Sequence, residues 1–489
     1  MPPRFRRRQF GPDFLFGAAT AAFQIEGAQY EDGRRDSIWD AFCRVEGAVI
    51  NGDDGSIACD HYHRYRDDVE LMAALGVQSY RFSTSWSRVQ PDGGPVNPAG
   101  LDFYSRLVDK LLEHDIMPWL TLYHWDLPQA IEEEGGWRNR DTAYRFRDYA
   151  LAVHDRLGDR VPVWTTLNEP WCAAFLGYVA GAHAPGVQDP AAGLAAMHHL
   201  LLGHGLIVQA LRAADPKLRL GLTLNLTPVY PVQPGRADDV EAARKIDGQS
   251  NRIFLDPIFR GSYPVDVLND VAGLGLERHI RPGDLGIIST PIDTLGVNYY
   301  QGALVGAEPS GSAVAIEAPT SRPTGSPFPA VTGVYPRSPR LPTTAMGWPI
   351  QPQGLRDLLN RVHRDYTGPA GVEVYVTENG AAFDDRPELD GSVRDANRSD
   401  FLYAHLDAIL DAIEDGVPVK GYFYWSLLDN FEWAWGYAKR FGLVRVDYRT
   451  QRRTVKDSGW AYSRAIITRE LSDETPEDSG LPSTSISSV

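Results

Sequence analysis

Eight apolar runs of strand length, separated by helical patterns, recur along most of the 489-residue chain. Period-2 or fully apolar runs indicate strands, and hydrophobic residues at helical spacing indicate the helices between them. The runs predict strands at 14–19, 77–82, 116–123, 163–167, 218–225, 294–299, 372–377 and 419–426. The clearest helical patterns lie at 62–75, 103–114, 142–157, 194–212 and 401–414. Strands that alternate with helices form a parallel sheet, and eight of them close on themselves. The sequence therefore predicts an α/β fold, a single (β/α)8 TIM barrel with extended βα loops.

The domain organisation follows from this pattern. An open doubly wound sheet would more often carry a glycine-rich phosphate loop after its first strand, and the region around Gly17 lacks that spacing. The barrel is predicted to span 10–470, between a flexible basic N-terminal arm at 1–9 and a disordered Ser- and Pro-rich tail at 471–489. The longest irregular stretch, 302–346, is interpreted as a partial lid.

Composition excludes several classes of partner. The net charge of −16 argues against a nucleic-acid partner, which would need clustered Lys and Arg. No apolar run is judged long enough to span a bilayer, so no membrane partner is expected. Three cysteines are too few for a disulfide framework, which favours a cytoplasmic protein with reduced thiols. Nothing in the sequence predicts an oligomeric state.

Polar and aromatic residues follow the predicted strands at one end. Barrel enzymes assemble their sites at the C-terminal ends of the strands, so residues there are candidates for chemistry. Along the chain these positions hold Gln24, Arg81, His124 with Trp125, Asn168 with Glu169, Asn225, Asn298 with Tyr300, Glu378, and Trp425 followed by Glu432 and Trp433. This one-sided distribution predicts a functional site at the C-terminal mouth of the barrel.

Two carboxylic acids stand among these residues. Glu169 and Glu378 follow candidate strands four and seven, which are expected to face each other across a barrel of eight. Glycoside hydrolysis uses such a pair, one acid that protonates the leaving oxygen and one carboxylate that attacks or activates water. Considered alone, either glutamate could equally well be a salt-bridge partner, and Arg81 could equally well form a structural ion pair.

The motifs around these residues resemble the paired signatures of glycoside hydrolase family 1. The two glutamates stand in Thr-Leu-Asn-Glu-Pro at 166–170 and Val-Thr-Glu-Asn-Gly at 376–380. Further matches are Phe-Leu-Phe-Gly-Ala-Ala-Thr at 14–20, Tyr-Arg-Phe-Ser at 80–83, Tyr-His-Trp-Asp-Leu-Pro at 123–128, and Trp-Ser-Leu-Leu-Asp-Asn-Phe-Glu-Trp at 425–433. The similarity covers roughly residues 10–465. So many matches in the same order along the chain are not expected by chance.

The resemblance implies a retaining, exo-acting β-glycosidase of β-glucosidase type, with Glu169 as acid/base and Glu378 as nucleophile. Its substrates would be cello-oligosaccharides or aryl and alkyl β-glucosides, which implies a role in cellulose degradation. Arg81 and Tyr300 would support the charge of the nucleophile. The implied sugar-binding residues are Gln24, His124, Trp125, Asn168, Asn298, Tyr300, Trp425, Glu432 and Trp433. Trp348 and the 302–346 stretch would meet the aglycone, and neither a cofactor nor a metal is expected.

Alternative functions and sites remain open from the sequence. The chain could be an inactive glycan-binding domain of the same fold, or an enzyme that transfers the glycosyl unit to alcohols or sugars. Thioglucosidases of the family lack a glutamate at the acid/base position, so Glu169 favours an O-glycosidase. The His61 and His63 pair, and the His198 and His199 pair, lack metal-site spacing, and Cys172 has no adjacent base, so packing explains them better.

Overall fold

The computed structural model describes residues 8–309 and 321–471, and eight parallel strands form a closed barrel at its centre. Each barrel strand pairs with its two neighbours in chain order, and the last pairs with the first through Trp425 and Ala19. The strands are β1 Leu15–Ala19, β2 Ser79–Ser83, β3 Met117–Tyr123, β4 Val163–Asn168, β5 Arg219–Asn225, β6 Thr294–Asn298, β7 Glu373–Asn379 and β8 Val419–Trp425. The predicted TIM barrel is confirmed.

The predicted strands agree with the observed ones to within two residues at each end. The agreement has a physical cause, because a parallel strand covered on both faces must be apolar along its whole length. β2 and β4 are buried at every position, and β3 is buried at all but its first. One topological expectation is wrong: β4 and β7 are separated by β5 and β6, so they stand three positions apart around the barrel instead of opposite each other.

Helices surround the barrel and supply the connections between its strands. The longer ones begin and end within five residues of the predicted patterns, because their apolar stripes face the strands. The α- and π-helical segments are Ala22–Ile25, Ile38–Cys43, His61–Ala74, Trp86–Val89, Pro98–Glu113, Gln129–Glu133, Asp141–Leu157, Cys172–Val179, Pro190–Ala214, Ala237–Asp247, Gly248–Arg252, Ile253–Arg260, Val265–Asp270, Asp284–Ile288, Pro352–Val362, His363–Thr367, Gly368–Ala370, Ala396–Glu414 and Asp457–Thr468. Single 3₁₀ turns occur at Ile50–Gly52, Gly136–Arg138, Leu276–Arg278 and Trp433–Trp435.

Both ends of the described chain are tied to the barrel. Arg8–Gln9 pairs antiparallel with Glu470–Leu471. The Arg8 guanidinium lies 2.6 Å from Asp407 and 2.7 Å from Asp411, both on the helix Ala396–Glu414. The predicted arm is therefore wrong for residues 8 and 9, and the predicted tail is wrong for Leu471, which is fully buried. The rest of both segments, 1–7 and 472–489, lies outside the described residues.

The helix Pro190–Ala214 is long and apolar enough to cross a membrane by length and composition, so the expectation that no run qualifies is wrong. However, 94% of its most apolar window is buried inside the protein. The helix packs against Asp141–Leu157 and Cys172–Val179. Its apolar composition is thus accounted for by its position in the core.

The stretch 302–346 is less irregular than predicted. Ala303–Gly306 pairs antiparallel with Tyr335–Arg337 and parallel with Val229–Pro231, which gives a three-stranded sheet. Val444–Asp447 and Arg452–Val455 form a separate hairpin. The three-stranded sheet stands beyond the C-terminal ends of the barrel strands and helps to line the cavity described below. Residues 310–320 lie outside the described chain.

A buried charge network joins the segments that follow β7 and β8. Lys456 Nζ lies 2.5 Å from Asp385 and 2.7 Å from Asp429, and all three side chains are at most 2% exposed. The remaining ion pairs of the network are Arg398 with Asp385 and Asp395, and Arg440 with Asp429. Three cations thus meet three carboxylates. Buried charges need such compensation, because each ion loses its hydration on folding.

This balance predicts the outcome of a substitution at its centre. Lys456→Met should lower the free energy of unfolding by about 3–5 kcal/mol, because it leaves three buried carboxylates with only two cations. Lys456→Met combined with Asp385→Asn restores the charge balance. The double variant should therefore lose less free energy of unfolding than the single variant. Denaturant unfolding of both variants measures this. Equal losses in the single and double variants would contradict the network argument.

Candidate active site

A cavity of about 690 Å³ opens at the C-terminal ends of the barrel strands. The segments after β3, β4, β5, β6 and β8 supply its walls, and β7 contributes Glu378. The lining residues that the sequence singled out are His124, Trp125, Glu169, Asn225, Asn298, Tyr300, Trp348, Glu378, Trp425, Glu432 and Trp433. This is the mouth at which barrel enzymes assemble their sites.

Arg81, at the third position of β2, lies beneath the cavity and is fully buried. One guanidinium nitrogen donates to Glu378 Oε1 at 2.6 Å, and another donates to Asn168 Oδ1 at 2.7 Å. The guanidinium thereby connects β2 to β4 and β7. A planar group with several donors suits such divergent contacts better than an ammonium would.

Glu169 is buried and has two neutral hydrogen-bond donors. Asn298 Nδ2 donates to Oε1 at 2.7 Å, and the Cys172 thiol donates to Oε2 at 3.2 Å. Burial raises the pKa of Glu169 to about 8, and the negative charge of Glu378 acts in the same direction. The two donors oppose this rise, because they stabilise the ionised carboxylate. At neutral pH, Glu169 is therefore a protonated acid.

Glu378 is equally buried but has a cation as its neighbour. Burial is the largest influence and leaves its pKa raised, although the Arg81 charge and the hydrogen bonds from Arg81 and Tyr300 lower it. Tyr300 donates its hydroxyl to Oε2 at 2.7 Å. Burial raises the pKa of the Tyr300 phenol well above its ordinary value, and the charge of Glu378 adds to this, so the hydroxyl keeps its proton. Glu378 is thus the carboxylate of the pair.

In three pairs of consecutive residues, both side chains face the site. They are His124–Trp125, Asn168–Glu169 and Glu432–Trp433. Consecutive residues of an extended chain point to opposite sides. The second residue of each pair adopts a left-handed conformation, with φ of 77° at Trp125, 46° at Glu169 and 52° at Trp433. Such conformations are unfavourable for side chains larger than glycine, and they concentrate at functional sites.

Asn298 contacts both side chains of the Asn168–Glu169 pair. Its Nδ2 lies 3.1 Å from Asn168 Oδ1 and 2.7 Å from Glu169 Oε1, so both members of that pair meet one amide. The Asn298 carbonyl oxygen in turn accepts from Thr377 Oγ1 at 2.8 Å. This fixes the orientation of the amide, so that its NH2 group faces the carboxyl.

One end of the cavity is closed by aromatic rings and unpartnered polar atoms. His124 stacks on Trp425 and Trp433, with ring centroids 5.7 and 6.0 Å apart. His124 Nδ1 and Glu432 Oε2 are buried without a hydrogen-bond partner among the described residues. Buried polar atoms normally have partners, so these two are suited to a polar ligand. Ring faces beside hydrogen-bonding groups are the mixture that a sugar requires.

Charge in this closed end is low. Burial lowers the pKa of His124 well below its ordinary value, with help from the Arg81 charge, so the imidazole is neutral. Burial raises the pKa of Glu432 to about 8, and the charges of Glu378 and Glu169 contribute to this. A site with neutral groups at this end matches an uncharged ligand.

The structure brings nearly all the predicted site residues together. Gln24, Arg81 and Asn168 are fully buried and do not line the cavity. Gln24 donates to Asn430 Oδ1 at 3.1 Å and to the Phe431 carbonyl at 2.8 Å. It therefore supports the loop that carries Glu432, and its own Oε1 is buried without a partner in the described chain. Trp125 donates its indole N–H to the Asn168 carbonyl at 2.9 Å.

Sequence reasoning missed several residues of the cavity. Trp171, His183 and Phe441 line it, and none of them follows a strand directly. Phe328 also lines the cavity, and it belongs to the 302–346 stretch that the sequence assigned to the aglycone without naming a residue. Cys172 was interpreted as a packing residue, yet its thiol reaches Glu169. A signal for Cys172 existed, because it stands three residues after Glu169 at the start of a helical segment, where residues three apart become neighbours.

The histidine pairs have other partners. His61 contacts Asp68 at 2.8 Å, His198 contacts Tyr263 and Asp284 at 2.9 Å, and His199 contacts the Trp137 carbonyl at 2.9 Å. Within residues 8–309 and 321–471, no group of three or more His, Cys, Asp or Glu side chains is arranged to hold a metal ion.

Comparison with known proteins agrees with this geometry. The model of glycosyl hydrolase family 1 matches residues 6–471. The chain belongs to glycosyl hydrolase family 1. Among family-1 relatives, it is 53% identical over 463 residues to thermostable beta-glucosidase B from Thermobispora bispora, which covers 94% of this chain and 91% of that protein.

Solved structures of family-1 enzymes share the fold. The psychrophilic beta-glucosidase BglU from Micrococcus antarcticus is 56% identical, with a TM-score of 0.93 and coverage of 94% of this chain and 98% of that one. The beta-glucosidase from Thermotoga maritima in complex with deoxynojirimycin is 43% identical, with a TM-score of 0.85, and covers 95% of this chain and 100% of that one.

The contact between Cys172 and Glu169 in this family-1 site predicts a change in acidity. The thiol donates to the carboxylate and so stabilises its charged form. Its removal in Cys172→Ala should therefore raise the pKa of Glu169, whereas Cys172→Ser, which keeps a donor, should not. Carboxyl ¹³C NMR titration, assigned with Glu169→Gln, measures the shift.

Cys43 provides a matched control, since it is also buried but does not line the cavity. Cys43→Ala should leave the titration of Glu169 unchanged. A pKa of Glu169 that is unchanged or lower in Cys172→Ala would disprove donation by the thiol.

Proposed function

We infer that this chain is a retaining β-glucosidase, an O-glycoside hydrolase that releases terminal β-D-glucosyl residues. The observation that carries the inference is the unequal surroundings of two carboxyls in one pocket: Arg81 and Tyr300 contact Glu378, while Glu169 has only neutral donors. Double displacement needs one ionised and one protonated carboxyl at the same time.

In the first half-reaction, Glu378 is the nucleophile and Glu169 the general acid. The Glu378 carboxylate attacks the anomeric carbon and forms a glycosyl ester, while Glu169 transfers its proton to the departing oxygen. The charge and the hydrogen bond of Arg81 favour the ionised form of Glu378 and so oppose the effect of burial. Glu169 holds its proton because burial and the charge of Glu378 both raise its pKa.

In the second half-reaction, the same Glu169 acts as a base. Esterification removes the negative charge from Glu378, so one cause of the raised pKa of Glu169 disappears. Glu169 then accepts a proton from the incoming water, which attacks the anomeric carbon and releases Glu378. One residue thus serves both steps because its acidity depends on the state of its neighbour.

We propose that the glycone binds in the closed end of the cavity. His124, Glu432 and Gln24 offer hydrogen-bonding atoms to ring hydroxyls, and Asn168 and Asn298 stand near the reacting carbon. Trp125, Trp425 and Trp433 give aromatic faces to the C–H surface of the sugar. The presence of both carboxyls in one pocket argues against an inactive glycan-binding domain.

We propose cello-oligosaccharides or aryl and alkyl β-glucosides as substrates, so that a role in cellulose degradation would follow from the first group. We also propose that the enzyme works in a reducing compartment, the cytoplasm. In support of this, Cys43, Cys59 and Cys172 are all free and buried.

Replacement of the nucleophile tests the first role. Glu378→Ala should lower turnover by more than about a thousandfold, because no carboxylate remains to form the glycosyl ester. With a dinitrophenyl β-glucoside, added azide should restore part of the turnover and yield the α-glucosyl azide, since the anion enters the vacated face. Product analysis by NMR checks the configuration. Hydrolysis at the wild-type rate would remove Glu378 from this role.

Replacement of the acid tests the second role through the leaving group. In Glu169→Ala, kcat/KM for cellobiose should fall by about 10²- to 10⁴-fold, because its leaving oxygen needs a proton. For the dinitrophenyl β-glucoside, whose leaving group departs as an anion, kcat/KM should change far less. Steady-state kinetics on both substrates makes the comparison. Equal losses would mean that Glu169 is not the proton donor.

A further inference from the structure

Asn379 is the last residue of β7 and directly follows Glu378, but it does not line the cavity. Its side chain is fully buried. Asn379 Nδ2 donates to the Tyr299 carbonyl at 2.8 Å, and the Tyr422 hydroxyl donates to Asn379 Oδ1 at 3.0 Å. The amide therefore has one partner in the segment after β6 and another in β8.

These two contacts agree on one orientation of the amide. A carbonyl oxygen can only accept a hydrogen bond, so the NH2 group of Asn379 must face Tyr299 and its oxygen must face Tyr422. Rotation of the amide would leave buried polar groups without partners, which is unfavourable. Asn379 thus holds the Tyr299 carbonyl in one position.

The contact with Tyr299 lies where the pairing between β6 and β7 ends. The last paired residues are Asn298 and Glu378, after a shift in register. Beyond them, the backbone N–H of Tyr299 still donates to the Glu378 carbonyl at 2.9 Å, whereas the carbonyl of Tyr299 accepts from the side chain of Asn379. A side chain thus fixes the backbone at the point where it leaves the barrel toward Tyr300.

Tyr300 is the residue that donates its hydroxyl to Glu378 Oε2, at 2.7 Å. The carbonyl of Tyr299 and the N–H of Tyr300 belong to one planar peptide unit. A hydrogen bond to that carbonyl therefore also fixes the direction in which the chain enters Tyr300. Because hydrogen bonds weaken steeply when their geometry departs from the preferred one, a small rotation of this peptide would weaken the donation to Glu378.

We propose that Asn379 is a positioning residue, which holds Tyr300 in hydrogen-bonding position against the nucleophile Glu378. The proposal rests on the β-glucosidase function inferred above and deepens it, since it gives a role in the reaction to a residue outside the cavity. The Tyr300 hydroxyl stabilises the ionised carboxylate. Loss of its alignment would therefore favour the protonated form of Glu378, which cannot attack the anomeric carbon.

The pH dependence of kcat/KM for nitrophenyl β-glucoside tests this role, because its acidic limb reports ionisation of the nucleophile. In Asn379→Leu, which keeps the size of the side chain but removes the amide, the limb should move to higher pH by at least about half a pH unit. The maximal kcat/KM should fall by at least about threefold. A residue that only stabilised the fold would change the amount of active enzyme and leave the limb in place.

A double-mutant cycle shows whether Asn379 acts through Tyr300. Tyr300→Phe alone should shift the limb in the same direction, and the addition of Asn379→Leu should then shift it little further. Tyr422→Phe, which removes the hydroxyl that orients the amide, should give a smaller shift in the same direction. Tyr424→Phe is the matched control, because Tyr424 is also a buried tyrosine of β8 but its hydroxyl has no hydrogen-bond partner in the described chain. It should leave the limb unchanged.

The outcomes separate the proposal from the function beneath it. Fully additive shifts of Asn379→Leu and Tyr300→Phe, or an unshifted limb in Asn379→Leu, would overturn the positioning role. If Asn379→Leu does not fold, an unshifted limb in Tyr422→Phe overturns it alone. No hydrolysis of nitrophenyl β-glucoside by the wild type would instead overturn the inferred function. Carboxyl ¹³C titration of Glu378, assigned with Glu378→Gln, then measures the same shift without any reaction.

Discussion

Arg81 places a buried positive charge between three strands of the barrel, 2.6 Å from Glu378 and 2.7 Å from Asn168. A carboxylate as deeply buried as Glu378 would otherwise lose its charge, because burial favours the neutral acid. The guanidinium opposes that loss and contacts Asn168 at the same time. In the proposed mechanism, the charge of the nucleophile Glu378, and with it the acidity of Glu169, depends on this contact.

The two glutamates illustrate how one pocket gives two chemical states to the same residue type. Burial raises the pKa of both, so burial cannot distinguish them. The difference lies in their partners, a cation and a phenol for Glu378 against an amide and a thiol for Glu169. Because the carboxyls also repel each other, the proton resides on the one without a cation.

The site further depends on backbone conformations that oppose local preference. Trp125, Glu169 and Trp433 are left-handed, and each follows a residue that also faces the site. A strand alone would turn one member of each pair away. Packing must therefore compensate for the strain, as the rings of Trp125 and Trp433 do by lying 4.5 Å apart.

The sequence by itself determined the barrel, since strands that are buried on both faces must be apolar throughout and eight such runs are visible. It also placed Arg81, Glu169, Glu378 and Glu432 at one mouth, because the ends of parallel strands share one edge. Only the tertiary structure decided which partner each carboxyl has, and that Cys172 belongs to the site. These contacts join residues that are distant along the chain, or that leave a strand through a left-handed turn. Periodicity describes only one element at a time, so it carries no information about the charges and side chains that other elements bring to it.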